Sequence, residues 1–209
     1  MKHIKLNGVK INYIEISLFI GIIVAIVCCF SNVICQSEDM GDHILRLHIL
    51  ANSDSEEDQN LKLKVRDEVL NNFNFDDSKG DLEMAKQEVG GQLQNIEKVA
   101  KNVIEEAGYD YGVESEVVNM YFNTREYGDF SIPAGMYDAL RLKIGKAQGR
   151  NWWCVLVPSL CVPAADSTSG EKLEDVLNSE QQELIKTGSK SEVRFAVVEL
   201  YEYLKSLFV

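Results

Sequence analysis

The segment Ile16–Cys35, ISLFIGIIVAIVCCFSNVIC, carries no charged side chain. A bilayer's hydrocarbon core is about 30 Å thick and is crossed by about 20 apolar residues at 1.5 Å each, which is the length of this run. A soluble helix of that length carries a polar face, and this one has none. The tail ahead of it holds Lys2, Lys5 and Lys10 against the single acid Glu15. Lys-rich flanks stay cytoplasmic, so the residues after 36 are expected outside. The most apolar part, Ile16–Phe30, also has the upper length of a signal-peptide core. Val33 and Cys35 ahead of Gln36 match a cleavage site only weakly, and no small residue precedes Cys28, Cys29 or Cys35 as a lipoprotein cut requires. Residues 1–35 are therefore expected to be either a cleaved signal or an anchor, and residues 42–208 one exported domain.

The charge balance narrows what that domain binds. The chain has a net charge of −12. Removing the basic tail leaves the rest more acidic still. Such a domain lacks the clustered Lys and Arg that grip a phosphate backbone, so no nucleic acid is expected. Charge attachment to an anionic membrane is excluded on the same ground. At 45% hydrophobic residues the chain is not a disordered acidic tail. Export also changes how the cysteines read, because thiols outside the cytosol tend to pair. Past the leader only Cys154 and Cys161 remain. A disulfide between them is expected if the chain reverses near Pro158-Ser159, since the Cα atoms must come within about 7 Å. The alternative is a pair of free buried thiols in reducing surroundings.

Local patterning predicts an α+β domain with a mainly antiparallel sheet packed by helices. His43–Leu50 alternates, with Leu45, Leu47 and Ile49 on one side and Ile44, Arg46, His48 and Leu50 on the other. Both faces are largely apolar, as in an interior strand. After the turn Ala51–Ser55, Ser53 and Glu56 fit a capping box for a helix through Leu61, Val65 and Val69. Residues 71–80 read as a loop. A longer helix over 81–107 follows, interrupted by Gly90-Gly91, a pair that predicts close packing or a bend, and stopped by Gly108. Strands are expected over 113–122, 136–144 and 151–158, the last two joined by Gly145–Gly149 as a hairpin. Residues 164–170 read as a connector, with helices over 171–186 and 191–207.

The search for catalytic chemistry is mostly negative. The sequence has no G-x-S-x-G, Walker A, H-E-x-x-H or G-x-G-x-x-G pattern, and no cofactor is expected. The acids of Asp54–Asp58 lack the Gly and distant Glu of an EF-hand loop and suit a helix N-terminus instead. His43 and His48, five apart on a strand, point to opposite faces and cannot share a metal. His48 shares a face with Arg46, where a hydrogen-bonded structural role is the default. Cys154 with His48 is a conceivable thiolate–imidazolium pair, which keeps a Cys-dependent exported hydrolase as an alternative. Trp152 and Trp153 are adjacent, so on a strand one faces the core and one faces out. With Tyr137 and Arg150 they form a candidate partner-binding surface, since Trp is enriched at interface hot spots. The alternative is that a helix of the same domain covers the outward Trp.

Two stretches carry a resemblance. They are LRLHILANSDSEEDQNLKLKVRDEVL (45–70) and IPAGMYDALRLKIGKAQGRNWWCVLVPSLC (132–161). Arg46-Leu47 ahead of Ala51–Ser55, then Pro133–Tyr137, Gly149–Cys154 and Pro158–Cys161, resemble the signature blocks of the stage II sporulation protein R family, over 42–208. Lys146-Ala147-Gln148 departs from a more Gly-rich turn. The resemblance implies signalling, not catalysis. It implies a forespore protein that is exported into the space between forespore and mother cell and there activates a membrane-embedded aspartic protease on the mother-cell side. That protease cleaves an inactive sigma-factor precursor. A structural envelope protein tethered through residues 16–35 is a further alternative.

Overall fold

The computed structural model describes residues 3–6, 9–73, 81–127, 130–158, 177–186 and 189–206. Strands β1 (His3–Leu6) and β2 (Val9–Asn12) pair as a short antiparallel ladder ahead of helix α1 (Tyr13–Met40). A 3-10 turn, Gly41–His43, leads into strand β3 (Leu45–Leu50) and helices α2 (Glu56–Asn72) and α3 (Leu82–Glu106). Strands β4 (Val113–Phe122), β5 (Arg125–Tyr127), β6 (Phe130–Ile132), β7 (Gly135–Ile144) and β8 (Asn151–Val157) follow. Helices α4 (Ser179–Ile185) and α5 (Ser189–Ser206) come last among the described residues. The expected connector at 164–170 and the start of the expected helix 171–186 lie outside the described residues.

The fold is α+β, and its main sheet has the order β4-β7-β3-β8. β4–β7 and β3–β8 are antiparallel, as a mainly antiparallel sheet requires, whereas β3–β7 is parallel, so the sheet is mixed. The expected β7–β8 hairpin is not formed, because β3 lies between the two strands. Turn residues and alternation report local reversal, but they cannot say that a third strand occupies the gap. The doubly apolar pattern of β3 did demand two neighbours, and that central position is what the structure gives it.

Alternation along β3 divides the sheet's faces. Leu45, Leu47 and Ile49 join Leu140, Leu142, Ile144, Cys154 and Leu156 in a core closed by α2 and α3. The α3 stripe supplies Val89, Ile96, Ala100 and Ile104 to it. Ile44, Phe122, Tyr137, Ala139 and Val155 form a second core on the other face, closed by Met40, Leu184, Ile185 and Phe195. Gly90 and Gly91 do not interrupt α3, and nothing lies within 4 Å of a Cβ built on either, so close packing is not their role. At the end of α3, Gly108 adopts φ +86°, the left-handed stop its position predicts.

Helix α1 differs along its length. Ile14, Leu18, Phe19, Ile20, Ile22 and Val24 are exposed large apolar side chains, whereas Ser37 and Met40 are buried. Its last turns are tied to the C-terminal helices. Lys205 donates to Glu38 at 2.7 Å and Gln181 donates to Asp39 at 2.8 Å. Among the described residues no helix is long and apolar enough to cross a membrane. The side chains of Ile23, Ile26, Val27, Cys29 and Asn32 lie outside those described.

Candidate functional site

The two sequence blocks meet at one end of the sheet. The loop after β7 does not turn back onto β7 but crosses the end of β3. There Gly149 N–H donates to the Ala51 carbonyl at 2.9 Å and Lys146 N–H to Asn52 Oδ1 at 3.0 Å. Arg150 N–H donates to Asp54 Oδ1 at 2.6 Å, and Lys62 Nζ reaches the Arg150 carbonyl at 2.9 Å. A Cβ on Gly149 would lie 2.1 Å from the Ser53 carbonyl oxygen, so only glycine permits this crossing. The helix cap differs from the capping box expected at Ser53. Ser55 is the N-cap of α2, accepting from Asp58 N–H at 3.2 Å. Ser53 and Asn52 instead donate to the Asp58 carboxylate at 2.5 and 2.8 Å. Burial opposes the charge on Asp58, but these hydrogen bonds prevail and hold its pKa below the usual carboxylate value.

Strand β8 leaves this junction carrying the two tryptophans, one to each face. Trp152 is in register with Ile49 and packs against the α2–α3 core, with the Arg66 guanidinium 4.2 Å from its ring. Trp153 is in register with His48 and lies flat on it, ring centroids 3.9 Å apart and planes 7° from parallel. Arg125 stands 5.8 Å from the Trp153 ring. The opposite-face expectation holds, but neither indole is core and neither is free: both are half-buried, each beside an arginine. Arg150 is exposed. Tyr137 is not available to a partner in this fold. It is 1% exposed and donates its hydroxyl hydrogen to the Pro133 carbonyl at 2.9 Å. Burial pushes that hydroxyl's pKa well up. Its place in the P-A-G-x-Y block is thus structural.

The face around Trp153 is curled. His48 pairs with Arg141, while Phe122 pairs with Gly135, six residues along β7. A straight ladder would separate those rows by about 20 Å. Yet the His48 and Phe122 rings are 6.4 Å apart, and Phe122 meets Trp153 at 4.8 Å. The β4–β7 arm therefore bends over this face and brings Phe122 onto the Trp153–His48 stack. It also brings the Tyr127 hydroxyl to Arg46, which donates to it at 2.8 Å. Arg46 is wholly buried, with its Cζ 4.1 Å from the Phe122 ring and 5.1 Å from that of Tyr137. Sequence reasoning missed this cluster as a site. The available signal was an arginine midway along a strand whose two faces are otherwise apolar.

The remaining chemical candidates sort by face. Cys154 is in register with Leu47 and belongs to the α2–α3 core, whereas His48 lies on the opposite face. The thiolate–imidazolium pair is therefore absent. His48 Nε2 is 3.0 Å from Asn151 Oδ1, the hydrogen-bonded role expected for it. Burial is the main cause that lowers its pKa to about 4. Arg141 adds to the lowering, and the Asn151 bond opposes it. His43 precedes β3, in the 3-10 turn, with its Nδ1 2.9 Å from the Asp39 carbonyl. Among the described residues no group of His, Cys, Asp or Glu is arranged to hold a metal. Cys161 lies outside the described residues, and the expected Cys154–Cys161 pairing with it.

Comparison with known proteins agrees with the two blocks. The family model for stage II sporulation protein R matches residues 41–169, short of the 42–208 expected because α4 and α5 fall beyond it. Stage II sporulation protein R of Bacillus subtilis (strain 168) is 36% identical over 135 residues, covering 64% of this chain and 59% of that protein. The chain thus spans less than two thirds of that relative's length. No solved structure matches. The matched residues contain β3, α2, the β4–β7 arm and the Trp-bearing β8, and on this basis the chain belongs to the stage II sporulation protein R family, with a role in sporulation.

Proposed function

We propose that this protein is an exported signal that activates a membrane-embedded aspartic protease, which then cleaves an inactive sigma-factor precursor. It crosses the cytoplasmic membrane by way of residues 16–35 and acts in the space between forespore and mother cell, released or anchored. The observation that carries this reading is membership of the family together with a surface suited to a protein partner: Trp152 and Trp153 on opposite faces of edge strand β8, each beside an arginine. Half-buried Trp and Arg are the residue types that dominate interface hot spots. The separation of Cys154 from His48 across the sheet removes the dyad on which a cysteine hydrolase would rest. The test is reconstitution in a non-sporulating host that makes the precursor and the protease. Cleavage that appears on adding this protein supports the reading. Cleavage that proceeds equally without it, or never appears with it, contradicts the reading.

A further inference from the structure

The guanidinium of Arg46 carries five N–H donors, and among the described residues its one hydrogen-bond acceptor is the Tyr127 hydroxyl. Nε and Nη1 are buried without a partner among the described residues. No described carboxylate pairs with it, since Glu116 on the same face is engaged by Arg141 and Lys143. The Phe122 and Tyr137 rings offset part of the lost hydration through their π faces. They leave the N–H groups unmet, and a buried cation without a counter-charge is a costly thing for a fold to keep. The cluster is not sealed: Tyr127, bonded to Arg46, and Trp153, packed on Phe122, are half-buried and reach the surface.

We propose that Arg46 anchors a carboxylate of the protein partner, an Asp or Glu side chain that enters beside Trp153 and Tyr127 and completes the guanidinium's hydrogen bonds. The proposal rests on the reading of this chain as a ligand for a membrane protease. Charge complementarity identifies the occupant, because a fixed, fully charged fork of donors matches a carboxylate. The acidity of the chain as a whole makes this a device for specificity more than for attraction at a distance. Arg125, beside Trp153, supplies a second positive charge where that group would arrive.

The experiment uses the full-length protein with the protease and precursor in one host. Arg46→Met keeps the volume and apolar contacts of the stem while removing the charge. The variant is expected to melt at or above the wild-type temperature and to lose at least tenfold in precursor cleavage. The exposed carboxylates of the protease are then replaced one at a time by Asn or Gln. One replacement is expected to reproduce the loss and to add nothing when combined with Arg46→Met. Cleavage within twofold of wild type by a folded Arg46→Met protein overturns the proposal. So does a protease series in which no replacement lowers cleavage, and that series decides alone if Arg46→Met does not fold. An inactive wild-type protein overturns the ligand reading itself, and the anchor with it.

Discussion

The imidazole of His48 lies flat against the indole of Trp153, with centroids 3.9 Å apart and planes 7° from parallel. The pair sits on neighbouring strands in direct register, which ties edge strand β8 to the central strand β3. Among the described residues His48 Nδ1 is buried without a hydrogen-bond partner, and the ring is neutral at physiological pH because burial lowers its pKa to about 4.

That shift fixes a pH dependence. In the unfolded chain His48 titrates near 6.5, and in the folded protein near 4. Between these values the unfolded state binds the extra proton, so this group's contribution is complete above pH 6.5 and is lost as pH falls toward 4. Thermal melting of wild type and His48→Gln between pH 7.5 and 4 isolates it from the carboxylates titrating in the same window. The wild-type advantage is expected to shrink with falling pH. A difference that stays flat contradicts the assignment.

Trp152→Ala and Trp153→Ala are expected to separate folding from signalling. Each removes a half-buried ring and a cation–π contact, a stability cost of about 2 kcal/mol. A hot-spot truncation costs about 2 kcal/mol or more in binding, or roughly 30-fold in affinity. Measured well below the melting temperature of each variant, precursor cleavage should fall at least tenfold. Loss that merely follows the unfolded fraction makes both residues packing elements and removes them from the interface.

The Cys154–Cys161 disulfide is expected in protein recovered from outside the cytosol. The short loop it closes gives about 2–2.5 kcal/mol in the chain-entropy model. Intact mass after alkylation without reductant should show both residues unmodified. Two alkylated thiols there mean the bond is not made.

Gly90 and Gly91 should be replaceable. Both are exposed on α3 with open space where a Cβ would stand. Ala at either position is expected to stabilise the protein by about 0.5–1 kcal/mol through helix propensity. Urea unfolding measures this, and destabilisation at both sites would reveal a contact made by these glycines outside the folded monomer.

What the sequence could reveal follows from the range of each signal. Alternation placed the two faces of β3 correctly, because side-chain period is a property of the strand itself. The Gly108 stop was legible because a left-handed residue after a helix is a local backbone requirement. Strand order was not. Gly145–Gly149 looks like a hairpin turn, yet the N–H groups of Lys146, Gln148 and Gly149 go to Ala51 and Asn52, nearly a hundred residues earlier in the chain. The site was legible in part. Adjacent aromatics on a strand required opposite faces for Trp152 and Trp153. The bend that lays Phe122 over His48 and encloses Arg46 depends on how the whole β4–β7 arm curls, and no local pattern encodes that. Tyr137 misled because its alternation is equally compatible with a covered and an open face.

Reconstitution of precursor cleavage is the most direct test of the central claim. The precursor and the membrane-embedded protease are produced together in a host that does not sporulate, with and without this protein, and the processed sigma factor is measured by immunoblot. The account predicts processing only when this protein is present with residues 16–35 intact to direct its export. Processing at the same level when it is omitted, or none when it is exported in folded form, would contradict the account.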